Sequence, residues 1–257
     1  SAASDVYKRQ WLNNNGNKPF FSVFNFNVCH ESGLWNRSKD SILVDKNKII
    51  VPPYFPDNEI IRHDMAVNFS NLIRADRKMS KLIQELKDKG EYDNTYIFFY
   101  SDHGGPFPRH KRAIYQSGTK VPLIIKPPKG VLIDNNKNEL LSFIDFAPTI
   151  LEIAGIDTPE SVQGNSFLKN LSEDENKNWR QSMYYQYYEY PFYHHVQPHY
   201  GIRNKRYKLI HFYYDVDVWE FYDLLEDPNE LNNLFNSKNH QSIIADLKIC
   251  LLYTSDA

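Results

Sequence analysis

The segment Ser101-Asp102-His103-Gly104-Gly105 directly follows the apolar run Tyr96-Ile97-Phe98-Phe99-Tyr100, and its residue types are suited to chemistry. A strand there delivers a carboxylate and an imidazole side by side at its carboxyl end, where open α/β sheets place their ligand sites. Asp beside His is a natural start for a divalent-cation site. The two glycines let the backbone turn sharply and come close to a ligand. Eight residues past His103, Lys111 opens the basic stretch Lys111-Arg112, before the apolar run Val121-Pro122-Leu123-Ile124-Ile125. Cation donors and a fixed ammonium on one loop point to an anionic substrate. His30, in Cys29-His30-Glu31-Ser32, follows another apolar segment and is a second candidate imidazole.

Each of these residues also has a plainer reading. Asp and Gly are common in strand-end turns, and Lys111 stands among Arg109, His110 and Arg112 as in a solvated basic loop. A lone histidine after an apolar strand is most often a hydrogen-bonded loop or core group. His194, His195 and His199 share no ligand-like spacing with a carboxylate or Cys, so they read as aromatic-loop or substrate-subsite walls. Glu189, Arg112 and His199 are candidate substrate contacts, and Arg203 is another, with surface pairing the default for Glu189 and Arg203. Ser101 lacks the Gly-x-Ser-x-Gly elbow of a nucleophile, and Cys29 reads as a small buried hydrophobe.

These residues have to be positioned by the elements around them. Pro19–Val28 reads as a buried strand. Val51-Pro52-Pro53-Tyr54-Phe55-Pro56 cannot be helical and reads as an extended segment. Asp57 or Asn58 then caps a long helix to Lys89, with apolar Ile61, Met65, Phe69, Leu72, Ile73, Met79, Leu82, Ile83 and Leu86 at helical spacing and Gly90 as its stop. Strands at 95–100 and 121–126 follow. The strand–helix–strand order predicts a mostly parallel central sheet flanked by helices. Asp145 caps a helix from Phe146 to Ala154. From Trp179 the chain turns Tyr-rich and reads as three strands, within 182–190, 200–213 and 219–224, with turn signals such as Arg203-Asn204-Lys205 and a close at Asp227-Pro228-Asn229. The strands form a smaller antiparallel sheet, with a terminal helix after Ser237.

The bulk numbers exclude several classes. At 257 residues there is ample chain for a buried core. A net charge of −2 without long basic runs argues against a nucleic-acid partner. No apolar run approaches the roughly 18 residues of a membrane span. Two cysteines, Cys29 and Cys250, make no disulfide scaffold. The ends, Ser1–Gln10 and Cys250–Ala257, resemble translated adaptor sequence and are set apart as non-native flanks. What remains, without an initiator Met or signal peptide, is read as an internal piece of a longer protein. It comprises a partial α/β core at 11–178 and a carboxy-terminal sheet subdomain at 179–249.

Taken in order, the motifs resemble the formylglycine-dependent sulfatases of the alkaline phosphatase superfamily. They are Pro19-Phe20-Phe21 leading to His30, Asp93-Asn94-Thr95 leading to Ser101-Asp102-His103-Gly104, and Lys111 before Tyr115, Gly118 and Val121-Pro122. Then come Asp145-Phe146-Ala147-Pro148-Thr149, Tyr207-Lys208-Leu209-Ile210, and Glu220-Phe221-Tyr222-Asp223-Leu224 with Glu226-Asp227-Pro228-Asn229-Glu230. The resemblance implies an alkaline-phosphatase-like α/β fold and a parent enzyme that hydrolyses sulfate esters or N-sulfates of a carbohydrate such as a glycosaminoglycan. It makes Asp102 and His103 ligands of one divalent cation, usually calcium, and Lys111 a sulfate-binding residue. His30 becomes a hydrogen-bond donor to the sulfate that can protonate the departing alcohol. Many members carry Asn where this chain has His103. The family's nucleophile is a formylglycine made within Cys/Ser-x-Pro/Ala-x-Arg, and no such motif occurs here. It is expected in an amino-terminal portion outside these residues, together with further metal ligands, so the 257 residues alone are expected to be inactive. Family resemblance also implies secretion or a periplasmic location. A phosphoester hydrolase of the same superfamily and a non-catalytic sulfated-glycan-binding protein are the alternatives. Oligomeric state is not legible.

Overall fold

The computed structural model describes residues 18–134, 138–171 and 178–255. The expected flank at 1–10 lies outside the described residues. The chain separates into two compact units: the described part of Ser1–Val51 with Pro56–Glu85, and Pro52–Phe55 with Leu86–Ala257. Compactness therefore does not divide the chain near residue 178, where the composition changes.

The first unit is organised on helix α1, Glu59–Asp88, whose last turn runs into the second unit. Asn58 caps it by accepting from the Ile61 amide at 3.0 Å. Gly90, at φ 74°, closes it in a Schellman turn, with Gly90 N–H bonded to Lys87 O and Glu91 N–H to Leu86 O. The buried face differs from the expected one. Phe69 and Leu72 are exposed, whereas Met65, Ala66, Val67, Ser70, Asn71 and Ala75 are buried. Small side chains let neighbouring backbone come close, and its polar groups are met from the helix. Asn71 Nδ2 donates to Gly33 O, and Ser70 Oγ accepts from Leu43 N–H. Cys29 is half-buried as expected of a small hydrophobe, and its thiol, pushed up by burial, reaches Asn71 O. Pro19–Val28 is not a strand. Its exposure alternates, but it has no ladder partner among the described residues and ends in the 3₁₀ turn Asn27–Cys29.

In the second unit β1, Ile97–Tyr100, pairs with β2, Leu123–Lys126, antiparallel, with Ile97 opposite Lys126 and Tyr100 opposite Leu123. The expected parallel strand–helix–strand unit is thus absent among the described residues. With Pro19–Val28 unladdered, β1 takes the next strand in the chain, and that pairing needs no crossover helix. Helix α2, Phe146–Ile153, follows. Asp145 does not cap it through its side chain. Its fully buried carboxylate instead takes a two-pronged ion pair from Arg180 and accepts from the Ser142 and Asn165 amides.

The carboxy-terminal sheet has four strands rather than three: β3 Ser182–Tyr187, β4 His199–Asn204, β5 Tyr207–Phe212 and β6 Val218–Asp223, in sequential antiparallel order. Asn204 splits the expected middle strand, because its Oδ1 accepts from both Arg206 and Tyr207 amides and closes a tight turn. One face carries the cross-strand row Tyr184, Ile202, Leu209, Phe221. It packs on Ile244, Leu247 and Leu251 of helix α3, Gln241–Ser255. Those three keep i, i+3, i+7 spacing, so helical register continues through the expected flank boundary at Cys250. The other face carries Gly201, Ile210 and Glu220 in one row and Arg203, Lys208 and Tyr222 in the next. It packs on Ile114 and Tyr115.

Replacing Arg180 by Met leaves the Asp145 carboxylate buried without its partner and is expected to cost about 3 kcal/mol. The double variant D145N/R180M should recover part of that loss. Urea unfolding midpoints of the two variants and the parent check it.

Candidate functional site

Asp102, His103 and Lys111 lie on one loop of the second unit, between β1 and β2. Ser101 Oγ donates to His103 O at 2.6 Å and closes the turn that follows β1. His103 Nδ1 lies 2.7 Å from Gly104 O. With the proton on Nδ1 donated there, Nε2 carries the lone pair, the arrangement that orients metal-binding imidazoles. Nε2 stands 3.8 Å from Asp102 Oδ1, and the Asp102 side chain is 85% exposed. Two donors at that separation can both reach one cation at the usual bond lengths of about 2.0–2.6 Å. The pair therefore fits part of a ligand set. Among the described residues no three His, Cys, Asp or Glu side chains cluster as a cage.

The loop then doubles back. Gly104 N–H bonds to Gly118 O at 2.8 Å. A Cβ on Gly104 would fall 1.8 Å from Ser117 O, and one on Gly118 would fall 2.1 Å from Ala113 O, so only glycine allows this approach. The same return sets the Lys111 amide 3.4 Å from Gly105 O, two residues past His103. Backbone geometry thus brings the stretch that bears Lys111 beside the one that bears Asp102 and His103.

Arg109 and Arg112 adopt left-handed backbone, φ 66° and 68°, which non-glycine residues hold only when their surroundings require it. Much of the restraint on Arg109 comes from its own contacts. Its guanidinium stacks 4.0 Å over the Tyr115 ring and donates to Glu230 O at 2.9 Å, while its carbonyl accepts from Ser117 Oγ. His110 is enclosed by the rings of Tyr54, Phe55 and Phe107, with Nε2 3.0 Å from Tyr54 OH. Burial, helped by the Arg109 charge, lowers its pKa to about 4. Behind the loop, Lys208 Nζ donates to Ile114 O at 2.8 Å and pairs with Glu230 Oε1 at 2.6 Å. Glu230 Oε2 accepts from the Gln116 amide at 2.5 Å. Tyr115 OH and Tyr222 OH both donate to Glu220 Oε2, at 2.8 and 2.9 Å, and burial pushes both phenols up.

The remaining candidates are His30, Arg112, Glu189 and His199. His30 belongs to the first unit, where its exposed ring sets Nδ1 2.9 Å from Ser32 Oγ. Arg112 is half-buried on the loop. Glu189 is exposed and accepts from Tyr187 OH. His199 is not an open wall. It is 1% exposed between the Tyr187 and Phe212 rings, and burial lowers its pKa. Its place on an inner strand, β4, puts it there. Tyr54, Lys208, Glu220 and Glu230 have no site role by their sequence context. The one signal was Lys208 itself, a charge inside the apolar run Tyr207–Phe212.

The chain belongs to the sulfatase family: the sulfatase pattern matches residues 6–156, and the pattern described as N-sulphoglucosamine sulphohydrolase, C-terminal, matches residues 105–256. It is 41% identical over 178 residues, 66% of this chain and 32% of the relative, to an N-acetylglucosamine-6-O-sulfatase of Bacteroides thetaiotaomicron. It is 36% identical, over 64% of this chain and 34% of the relative, to an ulvan-active sulfatase of Formosa agariphila. A solved structure in complex with its substrate D-glucosamine-2-N,6-O-disulfate superposes with a TM-score of 0.68 at 34% identity, covering 78% of this chain and 43% of that one. The chain spans about a third of the length of these curated relatives.

His110 is held neutral by the fold, so its contribution to stability is complete above pH 6.5, the ordinary histidine value, and is lost as pH falls toward about 4. The melting temperature should drop over that window by the equivalent of about 2 kcal/mol after solvent screening. His110→Phe should flatten this part of the profile in thermal melts taken across it.

Proposed function

We propose that the protein to which these residues belong is a sulfatase that hydrolyses sulfate from a carbohydrate, a glucosamine-type sugar of a glycosaminoglycan being the substrate favoured. The observation that carries this is the return of the β1–β2 loop, which sets the Lys111 backbone beside the turn bearing Asp102 and His103. Support for the sugar comes from the glucosamine substrates in the names of two of the relatives.

Asp102 Oδ1 and His103 Nε2 would hold one divalent cation, taken as calcium, and that ion would draw charge from the sulfate oxygens. Lys111 binds a sulfate oxygen and opposes the negative charge that grows there as the ester bond breaks. His30 supplies a proton to the departing alcohol oxygen. Arg112 and Glu189 contact the sugar. Formylglycine is the family's nucleophile, and the 257 residues hold no Cys/Ser-x-Pro/Ala-x-Arg motif to form it. The antiparallel β1–β2 pair is then an edge of a larger, mostly parallel sheet in the whole protein. No helix among the described residues is long and apolar enough to cross a membrane, and family membership favours a periplasmic or secreted enzyme.

Sulfate release from glucosamine 6-sulfate by the whole protein tests the reading. Lys111→Ala and Asp102→Asn should each lower kcat/KM by about 10²–10³-fold. Phosphate-ester turnover without sulfate release would overturn the reading. The 257 residues alone should release no sulfate, and turnover by them would show a nucleophile within the chain. Chelation should abolish turnover and calcium should restore it, while restoration by zinc alone would overturn the choice of ion.

A further inference from the structure

Outside the residues already given roles, the most fully built cluster is the buried pair Lys208–Glu230. Both side chains are about 2% exposed, and Nζ and Oε1 are 2.6 Å apart. Beyond their mutual contact, the side-chain bonds of this pair run to Ile114 and Gln116, and the Glu230 carbonyl meets Arg109. Lys208 Nζ donates to Ile114 O at 2.8 Å. Glu230 Oε2 accepts from Gln116 N–H at 2.5 Å. Glu230 O accepts from Arg109 at 2.9 Å. Glu230 itself sits at φ 56°, and it faces a loop whose Arg109 and Arg112 are also left-handed. Left-handed backbone at Glu230 and at Arg109, which donates to Glu230 O, persists only where the surroundings over-determine it.

We infer that Lys208 and Glu230 are positioning residues for the anion-binding loop: they clamp it at Arg109 and at Ile114–Gln116, and so fix the backbone from which Lys111 and Arg112 project. This rests on the sulfatase reading given above. A misplacement of about 1 Å at such a loop is enough to cost orders of magnitude in rate, so the pair shapes affinity for the sulfate group without touching it.

The discriminating variant is Gln116→Pro, made in the whole enzyme. Gln116 is the first residue of the helical turn Gln116–Thr119, and Tyr115 before it is extended at φ −63°, ψ 160°. Proline is accepted at such a position, so the change removes the amide that Glu230 accepts without opposing the backbone. Two readouts are taken: amide hydrogen exchange across residues 109–115, and the inhibition constant of inorganic sulfate measured beside kcat and KM. The expected result is faster exchange in the loop, with KM and the sulfate inhibition constant raised about tenfold and kcat changed less. Lys208→Arg, which keeps a donor and a charge, should stay closer to the parent than Lys208→Met. Unchanged exchange in Gln116→Pro overturns the clamp. Faster exchange with an unchanged sulfate inhibition constant overturns the positioning role. A parent enzyme that releases no sulfate sinks the sulfatase reading itself, a result separate from either of these.

Discussion

The second unit depends most on one ion pair placed where water does not reach. Burying an ammonium and a carboxylate costs several kcal/mol for each ion, and their attraction offsets this only when the remaining donors and acceptors are also satisfied. At Lys208–Glu230, Ile114 O takes one further ammonium hydrogen and Gln116 N–H meets the second carboxylate oxygen. Burial lowers the Lys208 pKa to about 8, and the Glu230 carboxylate opposes that fall. The consequence is directional. A polar core held this way accepts one arrangement of its neighbours, and here the neighbours are the β1–β2 loop. An apolar pair of equal volume would pack as well but would not choose where the loop's carbonyl and amide lie.

From that constraint the sheet's division of labour follows. One face of β3–β6 is an ordinary hydrophobic layer under α3, built of Ile202, Leu209 and Phe221. The opposite face is mixed, with Lys208 and Glu220 bonded to the loop, Tyr222 donating to Glu220, and Gly201 leaving space where a Cβ would lie 2.7 Å from Ile114 Cδ1. The carboxy-terminal sheet is therefore a support for the loop of Asp102, His103 and Lys111 as much as a subdomain of its own. This explains why compactness joins it to β1 and β2.

Local signals in the sequence were reliable where the physics is local. The cap at Asn58, the stop at Gly90, the strands around 97–100 and 123–126 and the helix after Ser237 are set by neighbouring residues. The turn after β1 was legible as well, since Asp-His-Gly-Gly closes an apolar run. Strand pairing was not legible. A run such as Pro19–Val28 has strand composition, but a ladder needs a partner, and composition does not name one. The turn signal at Arg203-Asn204-Lys205 is legible, but composition does not say that the segments on its two sides pair with each other as separate strands.

What the sequence determined by itself is the family, the main helices, the strands around 97–100 and 123–126 and the residue types of the candidate site, since these are carried by motifs and short-range periodicity. Tertiary structure alone decided that β1 and β2 run antiparallel and that His199 is interior. It alone decided that Tyr54 encloses His110, and that Lys208 and Glu230, 22 positions apart, meet behind the loop. Those facts depend on which distant groups share a buried space. The cost of desolvating them fixes their partners only once the chain has closed around them.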